Sequence, residues 1–369
     1  MTFDTTFNNL IHNLPSFNQH KIFDFKNNSF DFIRLFLACL VVVFHAFGFY
    51  YSNNFWHSPF IYFNADVMSR GGRTDWGELA VLGFFVISGF LITRSAIYSK
   101  SWASFFAKRF RRIYPGYLGS LFVTCFVFAP LTLVFRNDYS QLSTVINETL
   151  GFFFRSLWIE TPVTKIPTLT SYYFNGSYWT LLQEVRAYIL IVILAYFGWL
   201  KSNLKLGLIT GLLHLTYFTG LYYPTTRFWV DFVFYDFRFV ALFTYFLVGA
   251  MFFVNLEKIK WTWLGFTLSC FGILLSFQYN LAGIFLPVCG SYWLLFLSQV
   301  LPFKNLSTRI GDLSYGIYVY SSPLQVCLLY TPLVSLGFGI YTLTTLIISI
   351  VFGYLSWNYV EKRFLTKVR

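Results

Sequence analysis

Apolar residues run through this chain in long blocks, and polar residues are confined to the short stretches between them. A helix needs about 20 apolar residues to cross the hydrocarbon of a bilayer. Ten blocks come near or above that length, at approximately 30–50, 76–98, 115–135, 178–199, 206–222, 236–254, 261–279, 281–300, 311–331 and 336–359. The pattern predicts an all-α, polytopic integral membrane protein with about ten transmembrane helices. The longest interruptions are 51–75 and 136–177, and an interfacial helix is expected near 143–158. No internal repeat and no soluble appendage is evident. One membrane domain is therefore expected over 30–360, with a cytoplasmic N-terminal segment at 1–29 and a cytoplasmic tail at 361–369.

Composition strengthens this picture. Of the 369 residues 56% are hydrophobic and only 11% charged, where a soluble chain is about 25% charged. Aromatic residues reach 23%, including 48 phenylalanines, which suits a lipid-facing surface with interfacial Trp and Tyr. The formal net charge of +12 does not mark a nucleic-acid partner, because the basic residues sit in short loops rather than in one soluble domain. Those loops set orientation instead. With the N-terminus inside, 18 of the 27 Lys and Arg fall on inner segments, 6 on outer ones (Arg70, Arg73, Arg136, Arg155, Lys165, Arg227) and 3 within spans (Arg34, Arg186, Arg238). Both termini are expected in the cytoplasm, in a multi-pass protein of the inner or plasma membrane. Residues 1–28 are polar and the first apolar run is too long for an h-region, so no cleavable signal peptide is expected. The five cysteines lie in apolar runs without a CxxC pair, as buried reduced thiols do, and no metal site is expected.

Charge inside hydrocarbon is costly, about 2.5 kcal/mol or more, so embedded ionisable residues are functional candidates. The first run, "SFDFIRLFLACLVVVFHAFGFY", carries Arg34 and His45. Eleven residues bring both onto one helix face, about 16 Å apart along the axis. Arg34 sits near the inner end, one turn after Asp31 and within reach of an ion pair with it. A snorkelling Arg34 and a packing His45 form the plain alternative. In "NGSYWTLLQEVRAYILIVIL", Glu184 lies a turn or two below the outer surface, about as deep as His45. A carboxylate there can orient an imidazole and raise its basicity, or pair with Arg186 or Arg238 as structural glue. In "GELAVLGFFVISGFLITRS", Ser88 offers a mid-membrane hydroxyl, and Gly83 and Gly89 admit a ligand or another helix. In "FFAKRFRRIYPGYL" the cluster Lys108, Arg109, Arg111 and Arg112 faces the cytosol, ahead of Pro115, which reads as a helix start. Such a cluster anchors topology, binds anionic lipid or holds a phosphorylated cofactor.

Taken together these stretches resemble the acyltransferase-3 family of integral-membrane O-acyltransferases, which includes those that acetylate bacterial surface polysaccharides. Arg34 and His45 match the family's Arg, ten residues, His signature; "FFVISGFLI" resembles its serine-glycine-phenylalanine motif, and "KRFRRIYP" its basic segment ending in proline. "WTLLQE" is similar to its tryptophan-to-glutamate motif, with Trp179, Glu184 and Thr180 at the serine position. "LSYGIYVYSSPLQ" resembles its Ser-Tyr-x-x-Tyr-x-x-His-x-Pro run, but Ser321 stands where a second histidine is common; "NYVEKRF" is like the closing segment without its proline. The likeness covers residues 29 to 363.

The resemblance implies an enzyme that moves an acyl group, usually acetyl from acetyl-CoA, to a hydroxyl of a glycan or lipid-linked glycan such as O-antigen, capsule or exopolysaccharide. The donor is a cytosolic polyanion and surface-glycan precursors lie outside, so a channel through the protein is one solution. Arg34, Arg109, Arg111 and Arg112 would hold the phosphates, Ser88 would line the path, and His45, oriented by Glu184, would be the base or a transient acyl carrier. A multi-span transporter or flippase of a glycan or lipid-linked substrate is the competing reading, disfavoured by the lack of inverted repeats.

Overall fold

The computed structural model describes residues 23–51, 62–63, 67, 74–157, 166–171, 173–234 and 237–365. Lys21, Arg70, Arg73, Lys165, Lys367 and Arg369, which entered the orientation count, lie outside the described residues, as do parts of both long interruptions and both terminal segments. Backbone groups in hydrocarbon must bond within their own segment, so the apolar runs become helices. These are α1 (Phe30–Tyr50), α2 (Trp76–Ile97), α3 (Trp102–Arg136), α4 (Leu142–Ser156), α5 (Tyr178–Tyr196), α6 (Asn203–Tyr222), α7 (Pro224–Phe234), α8 (Phe237–Val254), α9 (Trp263–Gln278), α10 (Ala282–Val300), α11 (Ser314–Leu328) and α12 (Phe338–Leu365). Tyr62–Phe63 pairs antiparallel with Thr74–Asp75. Among the described residues, eight helices are long and apolar enough to cross a membrane. The protein is thus an all-α, polytopic membrane protein. Of the ten expected spans, α9 and α11 are shorter, at 16 and 15 residues.

Two other expectations meet the structure directly. The amphipathic segment near 143–158 is α4, which buries Val145, Thr149, Phe152 and Ser156 along one stripe. Pro115 does not open a helix. It lies inside α3, which already starts at Trp102 and takes the whole basic cluster into its first third. α3 then loosens into a π-helical turn at Thr124–Phe128. All five cysteines are free.

Two compact units make up the chain, one of residues 1–33, 59–106 and 183–305, the other of 34–58, 107–182 and 306–369. In the first unit, α2 and α8 cross at backbone contact. A Cβ on Gly89 would run into the Phe246 carbonyl, and one on Gly249 into that of Val86. Small residues are what permit such an approach in a membrane. Asp75 caps α2 by accepting the Glu78 amide at 2.7 Å, and the Arg94 guanidinium lies 4.4 Å over Phe25 near the helix's other end. In the second unit, α11 is the core, with thirteen of its fifteen residues buried. It meets α12 where Gly316 faces Gly353, a Cβ on Gly316 falling 2.7 Å from the Gly353 Cα.

Gly89→Val forces a branched side chain into backbone that cannot yield, and over-packing of this kind costs about 3 kcal/mol. Size-exclusion chromatography of detergent extracts should show the variant largely lost from the monodisperse peak.

Candidate active site

The second unit gathers charge at one place. Asp312 follows Gly311, whose φ of +88° turns the chain before α11. Its Oδ2 receives Arg112 at 2.5 Å and Arg34 at 3.0 Å, and its Oδ1 accepts the Ser314 hydroxyl at 2.6 Å. Arg112 reaches on to Glu361 at 3.4 Å, which also accepts the Ser356 hydroxyl at 2.8 Å. Glu361 ends a π-helical turn of α12, so α1, α3, the turn before α11, and α12 meet on two carboxylates. Burial by itself raises the Asp312 carboxyl, but Arg112 and then Arg34 outweigh it and hold it at about 2. The Arg112 guanidinium also lies 5.9 Å from the Tyr315 ring and 5.8 Å from Trp357.

Of the four cations in the cluster, Arg112 is thus committed to protein carboxylates. Arg109, one turn earlier on α3, has a buried Nε without a hydrogen-bond partner among the described residues. Arg111 and Lys108 are half-buried.

His45 lies further along α1 among the rings of Phe44 and Phe49, and its Cε1 faces the turn before α5. A Cβ placed on Gly176 would stand 4.0 Å from that carbon and 3.7 Å from the Ser322 Oγ, both ordinary contacts. That turn is fixed by α11. The Asn175 side-chain amide donates to the Val319 carbonyl at 3.0 Å, and the Gly176 N–H to Ser322 Oγ at 3.0 Å. Thr180, from the "WTLLQE" stretch, shares a 2.7 Å hydrogen bond with the Tyr318 hydroxyl. One turn beyond Ser322, Gln325 donates from Nε2 to the Val42 carbonyl at 2.7 Å. Its Oε1 and the Ser177 Oγ are buried without hydrogen-bond partners among the described residues. An unmet buried polar group costs about 1–3 kcal/mol.

Two expected site residues belong to the first unit. Glu184 is half-buried on α5, and its carboxylate accepts the Tyr188 hydroxyl. Arg186 turns aside, bonding Gln183 at 3.4 Å and lying 5.3 Å over Phe239. Ser88 is half-buried on α2, beside the glycine that packs on α8. The sequence reading passed over Asp312, Ser322, Gln325 and Gly176, and gave Glu361 no role. The available signal was scarcity: with 15 acidic residues against 27 basic ones, a carboxylate at the edge of an apolar run needs a cationic partner.

The family model for the acyltransferase-3 acyltransferase domain matches residues 27–354. The chain belongs to the acyltransferase-3 family. It is an enzyme, a membrane O-acyltransferase, and the matched segment includes every residue above except Ser356, Trp357 and Glu361. An O-acetyl transferase of Shigella phage Sf6 is 28% identical over 93% of this chain and 97% of its own length. Nodulation protein 10 of Rhizobium leguminosarum bv. viciae is 29% identical over 45% of this chain and 44% of its own. No solved structure matches the chain.

For this acyltransferase, Asp312→Asn leaves two guanidiniums facing a neutral amide. Breaking a buried pair from one side costs about 3 kcal/mol, read as a lowered thermal midpoint in detergent. The depressed carboxyl also sets a pH window. Its folded value lies below the ordinary 3.8, so its stabilisation is complete above that pH and lost as pH falls toward about 2. The wild-type advantage over Asp312→Asn should be full at pH 6 and shrink steadily below pH 4.

Proposed function

We propose that this acyltransferase moves an acetyl group from cytosolic acetyl-CoA to a hydroxyl of a surface glycan, in the inner or plasma membrane. The observation that carries the reading is the layout of α1. One continuous helix holds Arg34 within the charged cluster and, about 16 Å on, His45 facing the turn at Gly176. An extended pantetheine arm is about that long. The name of the phage relative, an O-acetyl transferase, supports acetyl as the group and oxygen as the acceptor.

In this mechanism Arg109 and Arg111 bind donor phosphates, bidentately as guanidiniums do, at the place that Arg34 and Arg112 frame. The acceptor hydroxyl approaches His45 from the opposite side. The imidazole takes the hydroxyl proton as the oxygen attacks the thioester carbonyl. The tetrahedral intermediate then expels the coenzyme A thiolate, which takes that proton back from the imidazolium. An ester forms, a thioester breaks, and the base is regenerated. Transfer through an acetyl-imidazole on His45 would give the same products with ping-pong kinetics. Both termini on the cytoplasmic side would put the charged cluster within reach of the donor.

The test is O-acetyl content of extracted surface glycan, by mass or NMR, in cells with matched membrane levels of each variant. A positioned base contributes about 10²–10⁴-fold, so His45→Ala should abolish the acetyl signal that wild type produces. Full acetylation by a folded His45→Ala protein would overturn the assignment. Glu184→Gln, tested because of the "WTLLQE" resemblance, should lose activity at least tenfold.

Gly176→Ala probes the gap itself. The added methyl meets only ordinary contacts at 3.7 and 4.0 Å, so the protein should accumulate normally. It should acetylate at least tenfold more slowly, because the methyl stands where the reacting groups must meet.

A further inference from the structure

Gln325 is an acceptor with nothing to accept, one turn along α11 from the Ser322 hydroxyl that holds Gly176. Its Nε2 is held on the Val42 carbonyl, and this decides which way the amide faces. Turned over, Oε1 would press against another carbonyl oxygen. Oε1 is therefore committed to the opposite direction, fully buried, with no donor among the described residues. The backbone adds a second restraint, since the Gln325 carbonyl accepts the Tyr341 hydroxyl at 2.8 Å. Nearby, Ser177 Oγ is a second buried polar atom without a partner among the described residues. It lies in the turn that faces His45 and Ser322 through Gly176. Two such atoms, one in the turn before α5 and one on α11 a turn from the Ser322 that holds this turn, point to a ligand that brings hydrogen-bond donors.

The level along α1 says which donor. Val42 comes three residues before His45 and eight after Arg34, about 4.5 Å and 12 Å along the axis. In an acyl-pantetheine chain lying from Arg34 to His45, the sulfur and two methylenes separate the thioester carbon from the nearest amide nitrogen. That span is about one helical turn. With the thioester at His45, this amide N–H falls beside Gln325. An amide drawn into a dry channel needs an acceptor as much as a protein amide does.

Resting on the proposed acetyl-CoA reading, we infer that Gln325 is the positioning residue for the donor. Its Oε1 accepts the pantetheine amide N–H nearest the thioester and sets the acyl carbon at His45.

The test is binding to the purified full-length protein in detergent, by titration calorimetry, with three probes. These are coenzyme A, adenosine 3′,5′-bisphosphate, and a coenzyme A analogue with an ester oxygen in place of that amide N–H. Wild type should bind the ester analogue at least fivefold more weakly than coenzyme A. Gln325→Met should bind coenzyme A at least fivefold more weakly than wild type does. It should no longer distinguish the analogue, and its affinity for adenosine 3′,5′-bisphosphate should be unchanged. Gln325→Glu, protonated in its buried place, keeps both a donor for Val42 and an acceptor, and should restore the discrimination. The ester comparison on wild type stands even if Gln325→Met does not fold. Equal wild-type affinity for coenzyme A and the ester analogue overturns the role of Gln325 alone. Absence of coenzyme A binding by wild type overturns the donor reading and Gln325 with it.

Discussion

A carboxylate buried between two guanidiniums anchors the second unit. Asp312 could not be ionised there alone, because removal from water costs several kcal/mol per ion even after relaxation. Arg34 and Arg112 make it possible, and each comes from a different helix. The bond therefore fixes more than charge. It sets the depth and rotation of α1, since Arg34 cannot slide without leaving Asp312, and it ties α3 to the start of α11. Glu361 extends the same arrangement to α12 through Arg112 and Ser356. Once α1 is fixed at Arg34, His45 is placed as well, because a straight helix passes register on without loss. The distance between the charged cluster and the imidazole is then a property of one element, which suits the proposed transfer across the membrane.

Helices were legible in the sequence because hydrocarbon leaves a chain little choice. Long apolar runs must be helical, and the boundaries of α1, α8 and α10 fall within about two residues of the runs that announced them. Where polarity was mixed, reading was harder. The first third of α3 carries four cations, which the hydropathy pattern separates from the span. The helix continues there because Arg112 has carboxylates to meet. α11 crossed the threshold of a full span in sequence yet is a short core helix. Its Ser, Tyr and Gln side chains are buried where distant segments bring partners, as Gly176 does for Ser322, Thr180 for Tyr318 and Val42 for the Gln325 amide N–H. Asp312 and Gln325 stayed invisible for that reason. Single-residue chemistry marks a residue as costly, and only the fold shows which group offsets the cost. Arg34 and His45 could be found because a helix period relates them within one element. Asp312 meets Arg34 across about three-quarters of the chain length.

Ser88 and Gly89 show the opposite case. The sequence offered two uses for this small-residue stretch, and at Gly89 the structure gives one of them. The glycine admits the backbone of α8, and Gly249 answers it from the other side. A close helix crossing gains dispersion contacts that lipid tails cannot supply to a pair held further apart. The first unit is joined here by contact, whereas the second adds buried ion pairs and hydrogen bonds to its own Gly316–Gly353 contact.

That difference bears on where chemistry can be done. A polar group in a low-dielectric interior is worth more when satisfied and costs more when it is not. Ser321, at the position of the family's second histidine, is fully buried and turned back on the Tyr318 carbonyl at 3.4 Å. A hydroxyl so placed does not replace a base at neutral pH. His45 is the one imidazole among the described residues of the second unit, so in the proposed mechanism removal and return of the proton both fall to it. A single base that serves both steps must hold its proton through the lifetime of the intermediate. The reacting carbon therefore has to stay within reach of one ring throughout. Rigid placement of the acyl group then matters more than a second catalytic group would. On that proposal, the fixed amide of Gln325 and the fixed turn at Gly176 are what the chain offers in place of that second group.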